Sequence, residues 1–372
     1  MRFEEILGQE HIKSHLKESV RLGRIPHAQL FVGPEGCGNL AMAIAYANSI
    51  LNGENDTTSN NFISHPDLHF IFPNTTNDDV KKNPKSSDFL DNWRDFLSQN
   101  IYGSLMDWYK ILGIDNKQGE IRVDDASEII KKLSLKSFNG GYKIMIIWMA
   151  EKMNISASNK LLKLLEEPTD KTLLILVSEN EEDLLQTIKS RCQIINFNAL
   201  PEAVIANELV RKHQIENNIA HKIAHQSQGN YNRALQLLEP DYDDKIFENW
   251  FVTWVRTAFR AKGNPSSVNE LISWSEQIAS LGREKQKQFL NYCISIFRQA
   301  LLQNYRSEKL VYIEPKVEGF KFDKFAEYVT GENIVEIFKE LSDAIYHIER
   351  NGNSKIILTD LSIKLTRLIH KK

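Results

Sequence analysis

Apolar residues in the first part of the chain cluster in short blocks: Ala28 to Val32, Asp67 to Phe72 closed by Pro73, Lys143 to Met149, Leu173 to Ser178 and Ile194 to Phe197. Between them, apolar positions recur at three and four, over Gln9 to Leu22, Ala41 to Ile50, Asp124 to Leu133, Ile155 to Leu165 and Glu181 to Lys189. Strands too apolar to be half exposed, alternating with amphipathic helices, predict an α/β domain whose parallel sheet is covered on both faces.

Asn74 to Gly119 breaks this rhythm. It begins polar, with Lys81, Lys82 and Lys85 around Asn83-Pro84, and then places Phe89, Trp93, Phe96, Leu97, Leu105, Trp108 and Tyr109 at helical spacing. The pattern predicts an insertion anchored on the sheet by its aromatic residues rather than a ligand box. After Pro201 the strands stop. Glu202 to Lys212, Asn218 to Gln226 and Tyr231 to Leu238 read as three short helices, and Glu239-Pro240 ends that unit. Longer one-faced helices follow over Ile246 to Ala261, Val268 to Leu281, Lys285 to Asn304, Ile334 to Asn351 and Asp360 to Ile369. The expected boundaries are therefore 1–199 for the sheet domain with its insertion at 74–119, 200–240 for a three-helix unit and 241–372 for an all-helical domain.

The net charge of −3 over 372 residues gives no global polybasic signal for nucleic acid or membrane. No apolar run has the length of a bilayer span. The start, Met1-Arg2-Phe3-Glu4-Glu5, lacks a signal-peptide core, and Cys37, Cys192 and Cys293 have neither metal nor redox spacing. A reducing cytoplasm is the expected compartment.

One stretch carries chemistry by what it lacks. Gly33-Pro34-Glu35-Gly36-Cys37-Gly38-Asn39-Leu40 has the glycine spacing of the phosphate-binding pattern GxxxxGK[ST], between an apolar strand and a helix as that motif requires. Asn39 stands where the lysine would reach the β/γ-phosphates, and Leu40 where a hydroxyl would hold Mg²⁺. The strand ending at Trp148-Met149 lies where a metal-binding aspartate and a second acid would stand, and Glu151 comes too late to replace them. Hydrolysis is not expected. Backbone N–H groups alone could retain a nucleotide, but without the lysine the expected state of the site is empty.

Ser190-Arg191-Cys192 follows the helix ending at Lys189 and precedes the last strand. An arginine at a helix end is ordinarily a solvated cap. At the edge of a nucleotide-binding fold it is also placed to meet a neighbouring subunit's γ-phosphate. With these residues stand Gly8-Gln9-Glu10, Gly23-Arg24-Ile25-Pro26-His27-Ala28, His65-Pro66-Asp67-Leu68-His69 and Asn159-Lys160-Leu161-Leu162-Lys163-Leu164-Leu165-Glu166-Glu167-Pro168. In this order the segments resemble the delta-prime subunits of bacterial DNA polymerase III clamp loaders, within the AAA+ class. The resemblance is strong over residues 1–240 and architectural beyond.

It implies an AAA+ P-loop parallel sheet domain, a helical lid and a helical collar through which five subunits assemble. It implies a non-catalytic subunit of the polymerase holoenzyme in the bacterial cytoplasm, at the nucleoid. This subunit would lend Arg191 to the ATP site of an adjacent gamma/tau-type ATPase subunit, with Ser190 and Cys192 as packing and capping residues. The delta subunit is a further implied partner; primed DNA is met through the complex and the sliding clamp indirectly. No membrane partner is implied.

Two departures from the family pattern matter. The four-cysteine zinc module that many members carry after the P-loop helix is missing: Leu51 to Phe62 holds no cysteine, so no zinc is expected. His65 and His69 have ligand-like spacing, but Pro66 and the following strand argue against a metal pair. In Gly229-Asn230-Tyr231-Asn232-Arg233, Asn232 takes the place of the phosphate-sensing arginine, and Arg233 is one position late, turned about 100° and expected to face solvent. Ser178 falls at the sensor position of its strand. The helix starts near Arg122-Asp124 and Lys152-Asn154 are candidate DNA contacts, set against ordinary capping by Asp124 and Asn154. The competing readings are an active P-loop ATPase with unusual residues and an AAA+ adaptor outside replication.

Overall fold

A computed structural model describes residues 1–52, 65–114, 117–138, 140–238, 242–307, 311 and 314–371. The polar segment replacing the zinc module lies outside them from residue 53 on, as does Glu239-Pro240. The chain forms two compact units, Met1–Leu238 and Glu239–Lys372.

In the first unit five strands build one parallel sheet: β1 Ala28–Val32, β2 Leu68–Ile71, β3 Lys143–Trp148, β4 Thr172–Ser178 and β5 Gln193–Asn196, in the order β2-β3-β4-β1-β5. Every residue of β3 and β4 is buried. Side chains alternate between the two faces. Phe31, Ile144, Ile146, Leu173 and Ile175 meet α2 (Asn39–Asn52), which is buried from Leu40 through Asn48. Leu30, Met145, Ile147, Leu174 and Leu176 meet α5 (Val123–Ser134) and α6 (Ile155–Glu166) on the other face. α1 (Glu10–Arg21) packs beside α2. The edge strand β5 departs from the expected apolar pattern, with Ile195 its one buried residue.

The insertion begins and ends at a bridge between Asn74 and Glu120. It contributes α3 (Leu90–Gln99) and α4 (Leu105–Leu112). Trp93 stacks on Phe72 at 4.4 Å and lies 5.1 Å from Trp148, and Trp108 Nε1 donates to Pro73 O at 2.8 Å. The aromatic residues are thus an anchor into the sheet, as their spacing predicts.

Two details differ from the sequence reading. The expected helix Glu181 to Lys189 is a 3-10 turn, Glu181–Asp183, and a single-turn α7, Gln186–Lys189. Leu184 and Leu185 between them are extended, and burial of Leu184 competes successfully with helix continuity. At α5 the capping carboxylate is Asp125, not Asp124: buried Asp125 accepts from Arg122 N at 3.1 Å and from Ser86 N at 2.8 Å. Asn154 does cap α6, accepting from Ala157 N at 2.8 Å. The unit closes with α8 (Glu202–His213), α9 (Asn217–Ser227) and α10 (Tyr231–Gln236).

The second unit is helical: α11 Tyr242–Ala261, α12 Pro265–Ala279, α13 Arg283–Asn304, α14 Phe322–Ala326, α15 Ile334–Glu349 and α16 Ser354–Leu368. Trp254 stacks on Trp274 with centroids 5.0 Å apart, and its N–H donates to Ser362 Oγ at 2.9 Å. The short α14 has no periodic signal of its own. α16 starts earlier than its apolar pattern because Asn353 caps it, accepting from Ile356 N. Among the described residues no helix is long and apolar enough to cross a membrane.

Candidate functional site: a closed phosphate loop and an outlying arginine

The loop from Gly33 to Gly38 connects β1 to α2 at the end of the sheet's central region. Gly33 must be glycine because a Cβ there would sit 2.5 Å from Phe197 Cβ. In an active loop, the first N–H groups of the following helix would point at phosphate. Here Asn39 answers one of them itself, since Leu40 N donates to Asn39 Oδ1 at 2.8 Å. The Asn39 amide also makes long hydrogen bonds, 3.4 Å each, to Gly33 O and Ser178 O. The Asn39 side chain therefore ties the loop to β4.

The loop is also covered. Tyr231 N, at the start of α10, donates to Gly36 O at 3.2 Å, and Asn230 Nδ2 donates to Glu35 Oε1 at 3.0 Å. Burial pushes the Glu35 carboxyl above its usual range, against the Asn230 hydrogen bond. Tyr102 from the insertion lies edge-on to Tyr231 with centroids 5.1 Å apart, and its hydroxyl accepts from Leu7 N. A cavity of about 10 Å³ remains beside Asn39, Tyr102, Trp148 and Ser178, the space of a single water.

At the place of the metal acid, Trp148 is packed among Trp93 and Phe96. Met149 takes a left-handed backbone with φ 54°, which turns the chain out of the strand. Glu151 Oε1 accepts from Glu179 N at 3.2 Å, while Oε2 is buried without a hydrogen-bond partner; burial raises its carboxyl pKa. Ser178 Oγ donates to Asn180 O. Asn232, at the sensing-arginine position, is buried and turned toward the insertion: Nδ2 donates to Asp107 Oδ2 at 2.8 Å, and Oδ1 accepts from Asn100 Nδ2 at 2.5 Å. Arg233 is half-buried rather than solvent-facing, because its short helix is held against the phosphate loop and the insertion. Among the described residues no group of three His, Cys, Asp or Glu side chains is placed to hold a metal. His69 is half-buried, its pKa lowered to about 4, mainly by desolvation.

Arg191 stands apart from this loop, just beyond α7. Its side chain is 33% exposed, and its Nη2 meets Glu166 Oε1 at 2.5 Å. Nη1 donates to Thr187 O at 2.9 Å and to Ser190 Oγ at 3.3 Å. Cys192 is half-buried, and burial raises its thiol pKa to about 12, so it is an unreactive packing residue beside Arg191.

Comparison with known proteins fits this architecture. The family model described as "DNA polymerase III, delta subunit" matches residues 8–201, more than half of the chain. The chain belongs to that family. A DNA polymerase III subunit delta' of Bacillus subtilis is 26% identical over 250 residues, covering 65% of this chain and 61% of the relative. The subunit tau of the same organism is 23% identical over 385 residues, covering 100% of this chain and 62% of the relative. A gamma/tau subunit of Mycobacterium bovis is 28% identical over 209 residues, 56% of this chain and 31% of the relative. The matched stretches thus span 31% to 62% of these relatives' lengths.

As a member of the DNA polymerase III delta family, the chain is a clamp-loader-type subunit that joins a parallel-sheet unit to an all-helical unit. Within that frame, sequence reasoning missed two residues. Asn230 was legible as a helix cap but not as a plug of a loop 195 positions away. Glu166 was legible only as part of a motif, not as the partner of Arg191.

Proposed function

We propose that this chain is a non-hydrolysing, delta-prime-type subunit of a DNA polymerase III clamp loader. Its neighbours are gamma/tau-type ATPase subunits and a delta subunit, and it works in the bacterial cytoplasm on primed DNA through the complex. Its chemical contribution is Arg191, presented in trans to the ATP of an adjacent subunit while a sliding clamp is loaded. The observation that supports this most is the pairing of a filled phosphate loop with a half-exposed arginine outside it. Asn39, Tyr231 and Asn230 occupy the space that phosphates would need, and neither Trp148 nor Leu40 can ligate Mg²⁺. No ATP and no zinc are assigned to the chain.

An arginine suits the role because its guanidinium stays charged and planar. The test is reconstitution with gamma/tau-type and delta subunits, followed by ATP hydrolysis with and without primed DNA. Arg191→Ala is expected to leave folding and assembly intact and to lower DNA-stimulated hydrolysis, by at most about 10³–10⁵. Unchanged hydrolysis would remove the arginine assignment. The presence of gamma and tau subunits among the relatives keeps one second reading, an active ATPase. ATP turnover by the isolated chain would establish it.

A further inference from the structure

We propose that Glu166 is the positioning residue for Arg191, holding its guanidinium through Nη2 while Nε–H stays open to a neighbour's phosphate. The inference rests on the trans-arginine reading above and adds a second residue to it.

Glu166 sits in the last turn of α6, at the negative end of that helix, and Glu167 follows it. Cations are favoured at that end and carboxylates are not. A residue that breaks a local rule without a local gain points to a function elsewhere. The gain here is the contact with Arg191 at 2.5 Å, across a separation of 25 positions. Both side chains remain substantially exposed, 33% for Arg191 and 50% for Glu166. Pairs of that exposure add little stability, so geometry is the contribution that remains.

The donor count shows what the geometry leaves open. A guanidinium has five N–H donors. Thr187 O and Ser190 Oγ take those of Nη1, and Glu166 Oε1 takes one of Nη2. Among the described residues Nε–H has no protein acceptor, and it remains available to a phosphate oxygen beside the Glu166 contact. The anchors are themselves fixed. Thr187 and Ser190 belong to the α7 turn, whose Ile188 is fully buried. The end of α6 is tied to the base of β1 by the hydrogen bond between His27 Nε2 and Leu165 O at 3.0 Å. A flexible side chain is thereby held on two rigid elements before any partner arrives, which is what preorganisation of a site requires.

The reconstituted loader tests this with four versions of the chain: Glu166→Ala, Glu166→Gln, Arg191→Ala and the double variant Glu166→Ala/Arg191→Ala. Glu166→Ala is expected to lower DNA-stimulated kcat about 10-fold with KM for ATP unchanged, since misplacement of a reacting group costs rate before affinity. Glu166→Gln keeps an acceptor and is expected to retain most of the rate. The double variant is expected to be no slower than Arg191→Ala alone. An unchanged or raised kcat in Glu166→Ala would overturn the proposal, as would a double variant much slower than Arg191→Ala. If Arg191→Ala is itself without effect, the trans-arginine reading falls and takes this one with it. If only the Glu166 variants are silent, the arginine stands and its positioning residue does not. Equal melting temperatures for Glu166→Ala and Glu166→Gln would assign the rate difference to positioning rather than folding.

Discussion

A methyl group at Gly36 would test whether α10 truly seals the phosphate loop. Gly36 has φ +71°, and a Cβ there would lie 2.0 Å from Asn230 Oδ1 and 3.0 Å from Tyr231 N. The Asn230 oxygen must therefore move by more than an ångström, yet it is the cap of α10, accepting from Arg233 N at 2.9 Å. Gly36→Ala then costs about 1 kcal/mol of left-handed backbone strain, about 1 for the cap and about 1 for the Tyr231–Gly36 hydrogen bond. For a unit of this size, about 3 kcal/mol corresponds to a melting temperature lower by about 6–12 °C. Gly23→Ala is the control: φ is +64° but nothing lies within 4 Å of the added methyl. It carries the strain alone, about 1 kcal/mol or about 2–4 °C. Calorimetry of both variants gives the difference, and hydrogen exchange should show faster exchange over 230–236 in Gly36→Ala only. If the two variants melt together and α10 exchanges no faster, the lid does not bear on the loop as described.

Two further outcomes follow from the same geometry. Asn39→Lys combined with Leu40→Thr restores the motif's side chains but not the space, so equilibrium binding of a fluorescent ATP analogue to the isolated chain should stay undetectable at micromolar concentrations; measurable binding there would show that the lid yields to phosphate. Glu35 has a raised carboxyl pKa, chiefly because burial penalises its charge. The folded state then holds its proton more tightly than the unfolded state, so this group favours folding below the unfolded pKa and loses that contribution as pH rises through the folded pKa. Glu35→Gln should melt higher than the parent chain at pH 8, with the gap closing toward pH 4.5; a gap that widens on acidification would reverse the sign of the argument.

Much of the first unit was legible because its signals are local. β1, β3 and β4 are predominantly apolar runs, and their bounds fall within about a residue of the pattern. The loop itself was legible because its glycine spacing is a local pattern. What escaped depends on contacts between distant positions. The break at Leu184-Leu185 is decided by burial of Leu184 against the sheet domain, which helical periodicity cannot report. Asp124 and Asp125 are equivalent in a sequence, but Asp125 alone reaches Ser86, 39 positions earlier. Arg233 was set on the solvent side by rotation about an ideal helix, yet α10 is too short and too tightly seated for that argument.

Asn39, Trp148 and Asn232, expected from the sequence to stand in place of catalytic residues, are each engaged in the packing of the unit. Asn39 answers the N–H of Leu40 and bridges to Ser178; Trp148 completes an aromatic group with Trp93 and Phe96; Asn232 ties α10 to Asn100 and Asp107. Each substitution back toward a catalytic side chain would remove one of these contacts. At Trp148 it would also bury a carboxylate among aromatic rings, where a lone charge costs several kcal/mol. Under the proposed reading the empty site is therefore a structural element in its own right. Its contacts tie the sheet, the insertion and α10 together. The same logic explains why Arg191 is separate from the loop: its anchors, Thr187, Ser190 and Glu166, belong to α7 and α6 and owe nothing to phosphate binding at Gly33 to Gly38.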